Sequence, residues 1–260
     1  MSGSVNSADL TAVGPGRLRR LVPAIGYALA TAIPVTALAL LAREKVDAVI
    51  HFDDAAIVAA TTVTRDHPGL LTALIGWQEA LQPWRVYIVG TGVCIWIWWR
   101  HRLVSRAIWG FVTMMVAWNV ALDIKYIVQR ARPVVADPIS HAPGYSFPSG
   151  HAANSAAAAT VVTLMIWPLL RSRLAQATTC AIAGGIVLLT ALDRVFLGVH
   201  FPSDVTAGVL VGCGFALASY AGYRGWKPSE PTELPDTPEE IDAAAEAQPI
   251  TGLPPAPRKR

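Results

Sequence analysis

Three short stretches of this 260-residue chain group side chains able to hold and attack a phosphoryl centre. Lys125 and Arg132 are separated by six residues, and Pro133 follows. Pro148-Ser149-Gly150-His151 comes next, and Arg194, His200 and Asp204 close the set with gaps of five and three residues. A guanidinium presents a planar fork of donors matched to phosphate oxygens, and a lysine adds a mobile point charge. Histidine can serve as nucleophile or proton carrier. A carboxylate four positions further on can accept from one imidazole nitrogen, leaving the other unprotonated and directed outward. Ser149 suits an N-cap and Gly150 a close backbone approach, at a helix start whose unpaired N–H groups attract anions.

Taken singly, each stretch also has an ordinary structural reading. Lys125 could snorkel to lipid headgroups, Pro-Ser-Gly could open any helix, and Asp204 could cap a helix beside an interfacial histidine. The third stretch resists that reading most. Between Ala175 and Tyr223 the only charged or histidine side chains are Asp193, Arg194, His200 and Asp204. Such groups are costly at membrane depth and point to function. Three accidents supplying complementary chemistry in order are a weaker account than one site.

The elements that must position these residues are apolar. The chain is 53% apolar and 15% charged, against about 25% charged in soluble domains, and its mean hydropathy is +0.42. The net charge of +3 is broken up, which argues against nucleic acid as a partner. Six runs approach the length of about 20 residues that a spanning helix needs: Leu21–Leu41, Pro83–Trp99, Ala107–Ile124, Ala152–Leu170, Ala175–Leu192 and Val205–Tyr223. The first is too long for a signal-peptide core and reads as a retained span. Leu70, Leu71, Leu74, Ile75 and Leu81 fall near helical spacing among polar residues and predict an amphipathic helix on the membrane surface; an early start of the second span is the alternative. Cys94, Cys180 and Cys213 lie far apart in apolar runs and read as buried thiols rather than a disulfide or metal site. The expected fold class is all-α: a polytopic membrane protein with six transmembrane helices and an additional interfacial helix.

Basic residues orient it. Arg17, Arg19 and Arg20, then Arg100, Arg102 and Arg106, then Arg171 and Arg173, then Arg224 and Lys227 all fall on one side of a six-span protein. The positive-inside rule makes that side cytoplasmic, so both termini are expected there and all three motif stretches on the outer face of the plasma membrane. Three parts are expected: a cytoplasmic segment over 1–20, the six-span domain over 21–223, and a Pro-, Ala- and Glu-rich disordered cytoplasmic tail over 224–260.

Lys-x6-Arg-Pro, Pro-Ser-Gly-His and Arg-x5-His-x3-Asp together resemble the signature of the type 2 phosphatidic acid phosphatase superfamily, which includes vanadium haloperoxidases and bacterial acid phosphatases. The resemblance covers Lys125 to Asp204 directly. It implies that His200 attacks phosphorus to form a phosphohistidine, oriented by Asp204. It implies that His151 protonates the leaving group and then activates water, and that Lys125, Arg132, Ser149, Gly150 and Arg194 hold the phosphoryl oxygens. No cofactor and no metal is implied, because fixed cations take the place of magnesium. The chain departs from the family at Asp193, where a serine is common; a carboxylate there can pair with a neighbouring arginine and fix its rotamer. The implied substrate is a lipid phosphate from the bilayer: polyprenyl pyrophosphate, phosphatidate or phosphatidylglycerol phosphate. A phosphotransferase using the same phosphohistidine, and a non-catalytic transporter or binder of anionic lipid, are the alternative readings. Oligomeric state is not legible.

Overall fold

The computed structural model describes residues 15–134, 139–140 and 142–224. Among them it shows helices and no strand: α1 (Pro15–Arg43), α2 (Asp47–Asp66), α3 (Pro68–Ala80), α4 (Pro83–His101), α5 (Val104–Val128), α6 (Gly150–Ile166) with a 3-10 turn to Leu169, α7 (Arg173–Phe196) and α8 (Pro202–Tyr223). The expected tail beyond Arg224 and most of the expected N-terminal segment lie outside the described residues. Pro15–Arg20, assigned to that segment by hydropathy, form the start of α1.

Five of the six expected spans are helices long and apolar enough to cross a membrane: α1, α5, α6, α7 and α8. The chain is a multi-pass membrane protein. The expected second span is the 19-residue helix α4, whose hydropathy is lowered by Trp84, Trp96, Trp98 and Trp99 together with Arg85, Arg100 and His101. α3 is a separate helix that stops at Ala80, and proline starts α4 three residues later, so the helix near Leu70–Leu81 is not an extension of the second span.

α2 was not expected at all. Its acids and Arg65 interrupt any apolar run, yet Asp53, Ile57, Ala60, Thr61 and Thr64 recur on one helical face and are buried. Thr64 donates to the Phe196 carbonyl at 2.9 Å and ties α2 to the end of α7.

α6 lies at the centre, packed against α4, α5, α7 and α8. Ala152, Ala153, Ala156 and Ala157 are almost fully buried there and let α8 approach closely. A Cβ at Gly208 of α8 would stand 2.7 Å from the Ser149 carbonyl oxygen, so only glycine fits that crossing. The small residues on these two helices therefore serve helix packing. Large apolar side chains face outward instead, including Ile25 and Ile33 on α1 and Leu174, Ile182 and Leu188 on α7, as expected where lipid is the solvent. Cys94 is buried as expected, but Cys180 is exposed on that outer face of α7.

Candidate active site

The three stretches meet at one end of the bundle because helix ends carry them. Lys125 lies in the last turn of α5 and Arg194 in the last turn of α7. Asp204 lies in the first turn of α8, and Ser149 is the N-cap residue of α6, with Gly150 and His151 following. Two residues past the end of α7 comes Gly198 with φ of 72°, a left-handed conformation that suits glycine. The Gly198 N–H bonds Val195 O at 2.9 Å, and the Val199 and His200 N–H groups both return to Arg194 O at 3.2 and 3.3 Å. That turn sets His200 beside the end of its own helix.

His200 is the buried centre of the cluster, only 3% exposed. Arg132 Nη1 lies 3.2 Å from its Nε2. A guanidinium has no lone pair to offer, so Nε2 is the acceptor and the ring proton sits on Nδ1. Arg132 is itself held by main-chain carbonyls: Nε donates to Gly144 at 2.9 Å, Nη1 to Val199 at 2.8 Å and Nη2 to Pro143 at 2.9 Å. Lys125 Nζ donates to Tyr145 O at 2.9 Å. Burial, with Arg132 and Lys125 adding to it against the opposing pull of Asp204, pushes the His200 imidazole down from its ordinary 6.5 to about 4. The ring is therefore neutral at pH 7.

Asp204 differs from expectation in one respect. Its Oδ2 lies 3.7 Å from His200 Nδ1, beyond hydrogen-bond reach. That oxygen already accepts the Phe201 N–H at 2.9 Å and the Ser146 hydroxyl, while Oδ1 accepts Arg130 Nη1 at 2.7 Å. By accepting the Phe201 N–H, the Asp204 side chain caps the start of α8 as well as facing His200.

Asp193 does pair with its neighbour: Arg194 Nε donates to its Oδ2 at 2.8 Å, and Nη2 meets the same oxygen. Gln78 Oε1, from α3, accepts Arg194 Nη2 at 2.8 Å. The remaining site residue, His151, lies close enough to Arg194, His200, Lys125 and Arg132 to feel all four electrostatically.

Buried polar atoms are nearly always bonded within a protein. Six buried side-chain atoms among the described residues lack a partner, and four are Ser149 Oγ, His151 Nε2, Asp193 Oδ1 and His200 Nδ1. Ser149 thus holds the N-cap position without capping through its side chain. Of these four, Ser149 Oγ and His151 Nε2 carry or can carry a proton to donate, Asp193 Oδ1 can only accept, and His200 Nδ1 faces Asp204.

Sequence reasoning missed four residues around Asp204 and Arg194: Asp53, Arg130, Ser146 and Gln78. Arg130 lay in plain view between Lys125 and Arg132 but at a position the spacing leaves free. Asp53 could only have been found by reading α2 as an amphipathic helix.

A family profile described as the PAP2 superfamily matches residues 107–227. Decaprenylphosphoryl-5-phosphoribose phosphatase of Mycobacterium tuberculosis is 30% identical over 164 residues, which cover 61% of this chain and 83% of the relative. The chain belongs to the PAP2 superfamily. Other PAP2 proteins agree with that placement. Phosphatidylglycerophosphatase B of Bacillus subtilis is 37% identical over 92 residues, 34% of this chain, and the match spans 44% of that relative's length. The crystal structure of a transmembrane PAP2-type phosphatidylglycerolphosphate phosphatase from Bacillus subtilis superposes with a TM-score of 0.65 at 23% identity, over 76% of this chain and 94% of that one. It shares this PAP2 chain's fold.

Proposed function

We propose that this protein is a membrane lipid-phosphate phosphatase working through a phosphohistidine on His200, at the extracytoplasmic face. The observation that carries the reading is the Arg132–His200 contact: a fixed cation touches the unprotonated Nε2 of a neutral, buried imidazole. A phosphoryl group at that nitrogen would find Arg132 already beside its oxygens, with Lys125 and Arg194 near. Such preorganised charge is usually the largest catalytic contribution. His200 Nε2 forms the bond to phosphorus as the bond to the leaving oxygen breaks. His151 supplies the proton to that oxygen and then takes one from the attacking water, which splits the phosphorus–nitrogen bond. Asp204 balances the imidazolium charge that appears when His200 is phosphorylated. Ser149 Oγ and the Gly150 N–H complete the oxyanion cradle at the start of α6.

The substrate class follows from the surroundings. The site lies at the end of a bundle whose flanks are apolar, so the phosphate arrives on a membrane-anchored carrier. The relative matched over most of its length is named for a polyprenyl-linked sugar phosphate, which puts that chemistry ahead of phosphatidylglycerol phosphate, phosphatidate and polyprenyl pyrophosphate. The test is phosphate release by purified protein in detergent with EDTA present, across those four lipids, for wild type and His200→Ala. Release by the wild type, with a loss of at least about 10³-fold in the variant, is expected. Substantial turnover by His200→Ala would remove the phosphohistidine, and an inactive wild type would remove the hydrolase.

A further inference from the structure

We infer that Asp53 of α2 and Arg130 form a second layer behind the nucleophile, positioning the Asp204 carboxylate and leaving its negative charge available to His200. The inference rests on the phosphohistidine reading above. The geometry is a chain of buried charges. Arg130 Nη2 meets Asp53 Oδ2 at 2.7 Å, and its Nη1 meets both Asp204 Oδ1 and Ser203 Oγ at 2.7 Å. The Arg130 guanidinium also lies over the Phe201 ring, 4.2 Å from its centroid. Asp53 and Asp204 are both 0% exposed and Arg130 is 9% exposed. Asp53 reaches the first turn of α8 directly, accepting the Ser203 N–H at 3.1 Å and the Ser203 hydroxyl. On the other side, the Arg130 carbonyl accepts the Ser146 N–H at 2.8 Å, and the Ser146 hydroxyl donates to Asp204. One guanidinium thus contacts Phe201, Ser203 and Asp204, the segment that immediately follows His200.

Charge balance gives Asp53 its part. A lone buried arginine on Asp204 would offset the carboxylate that the imidazolium needs. Asp53 divides that arginine between two carboxylates, so the trio carries one net negative charge beside His200. Removing Asp53 leaves Arg130 uncompensated at the moment a second positive charge forms on the phosphorylated ring. Asp53 and Arg130 are therefore positioning residues: they act through Asp204 and touch no reacting atom. A purely structural ion pair would not show the same dependence, because its loss would not be felt through Asp204 alone.

The experiment uses full-length protein in detergent with the best lipid phosphate found above, comparing Asp53→Asn, Arg130→Lys, Arg130→Gln, Asp204→Asn and the double variant Asp53→Asn/Asp204→Asn. Asp53→Asn and Arg130→Gln are expected to lower kcat by about 10- to 100-fold, with KM and the inhibition constant of inorganic phosphate within about twofold of wild type. Arg130→Lys, which keeps the charge without the fork, recovers part of the loss. Asp53→Asn adds no more than about twofold in the Asp204→Asn background, because the residue it acts through is already gone. Wild-type kcat in Asp53→Asn overturns the inference, as does a phosphate constant that rises in step with the loss, or a loss that multiplies fully in the double variant. The two aspartate-to-asparagine changes are isosteric, so they carry the test should Arg130→Gln not fold. An inactive wild type overturns the hydrolase reading and this inference together; an active wild type with an unimpaired Asp53→Asn overturns the inference alone.

Discussion

His200 differs from an ordinary histidine because it is buried beside two cations, and its acid–base behaviour follows. Its pKa is depressed from 6.5 to about 4 in the folded protein, so between those values the unfolded chain takes up a proton that the folded chain refuses. Acidification through that window therefore costs stability, which is fully present above the unfolded value. The His200 ring should keep its neutral Nδ1–H form to about pH 5 in 15N-histidine spectra. The wild type should also lose thermal stability faster than His200→Gln as pH falls from 6.5 to 4. A ring that titrates at 6.5 would mean that water reaches it. The pairing of Asp193 with Arg194 belongs to this scale too: the carboxylate and the Gln78 side chain both accept from the guanidinium and fix its orientation.

At the scale of elements, the site depends on how closely α6 and α8 cross. Gly208 lies against Ser149, whose own N–H bonds the Asp204 carbonyl at 3.0 Å. The helix contact and the geometry of the candidate site therefore share one crossing. Gly208→Val should cost about 1–3 kcal/mol from overpacking, lowering the melting temperature in detergent. Because the α6 start would be pushed away from Asp204, activity should fall further than stability alone explains, by about tenfold at a temperature where the variant is still folded. A stable, fully active Gly208→Val would show that the crossing can relax. α2 matters at this scale for a similar reason, since its buried face joins α7 through Thr64 and reaches α8 through Asp53.

For the whole molecule, the site end and the arginine-rich end are opposite. Lys125, Ser149, Arg194 and Asp204 stand at one end of α5–α8, while Arg106, Arg171, Arg173 and Arg224 stand at the other. α4 joins α5 through two residues, so Arg100 lies at that second end as well. The proposed extracytoplasmic site rests on the positive-inside rule, under which the arginine-rich end, with the end of α8, is the cytoplasmic one. A fluorescent-protein fusion at the C-terminus should fluoresce, and an alkaline phosphatase fusion at the same place should be inactive. The reverse pattern would put the site on the cytoplasmic face and change the pool of lipid it can meet.

Residue type and spacing singled out His200, His151, Asp204, Lys125, Arg132 and Arg194 as candidates, because ionisable side chains at the ends of apolar runs are costly, and the fold gathers them at one end of the bundle. Helical content and the main apolar spans were equally legible, since lipid demands long runs that composition cannot hide. Spacing could not show that Asp204 faces His200 at 3.7 Å while its own bonds go to Arg130, Ser146 and Phe201. Nor could it bring Asp53 to α8 across 150 positions of chain. Local pattern records which face of a helix is apolar, but which buried charges meet is settled only when helices far apart in sequence pack, and a polar helix such as α2 leaves no hydropathy signal until its partners are known.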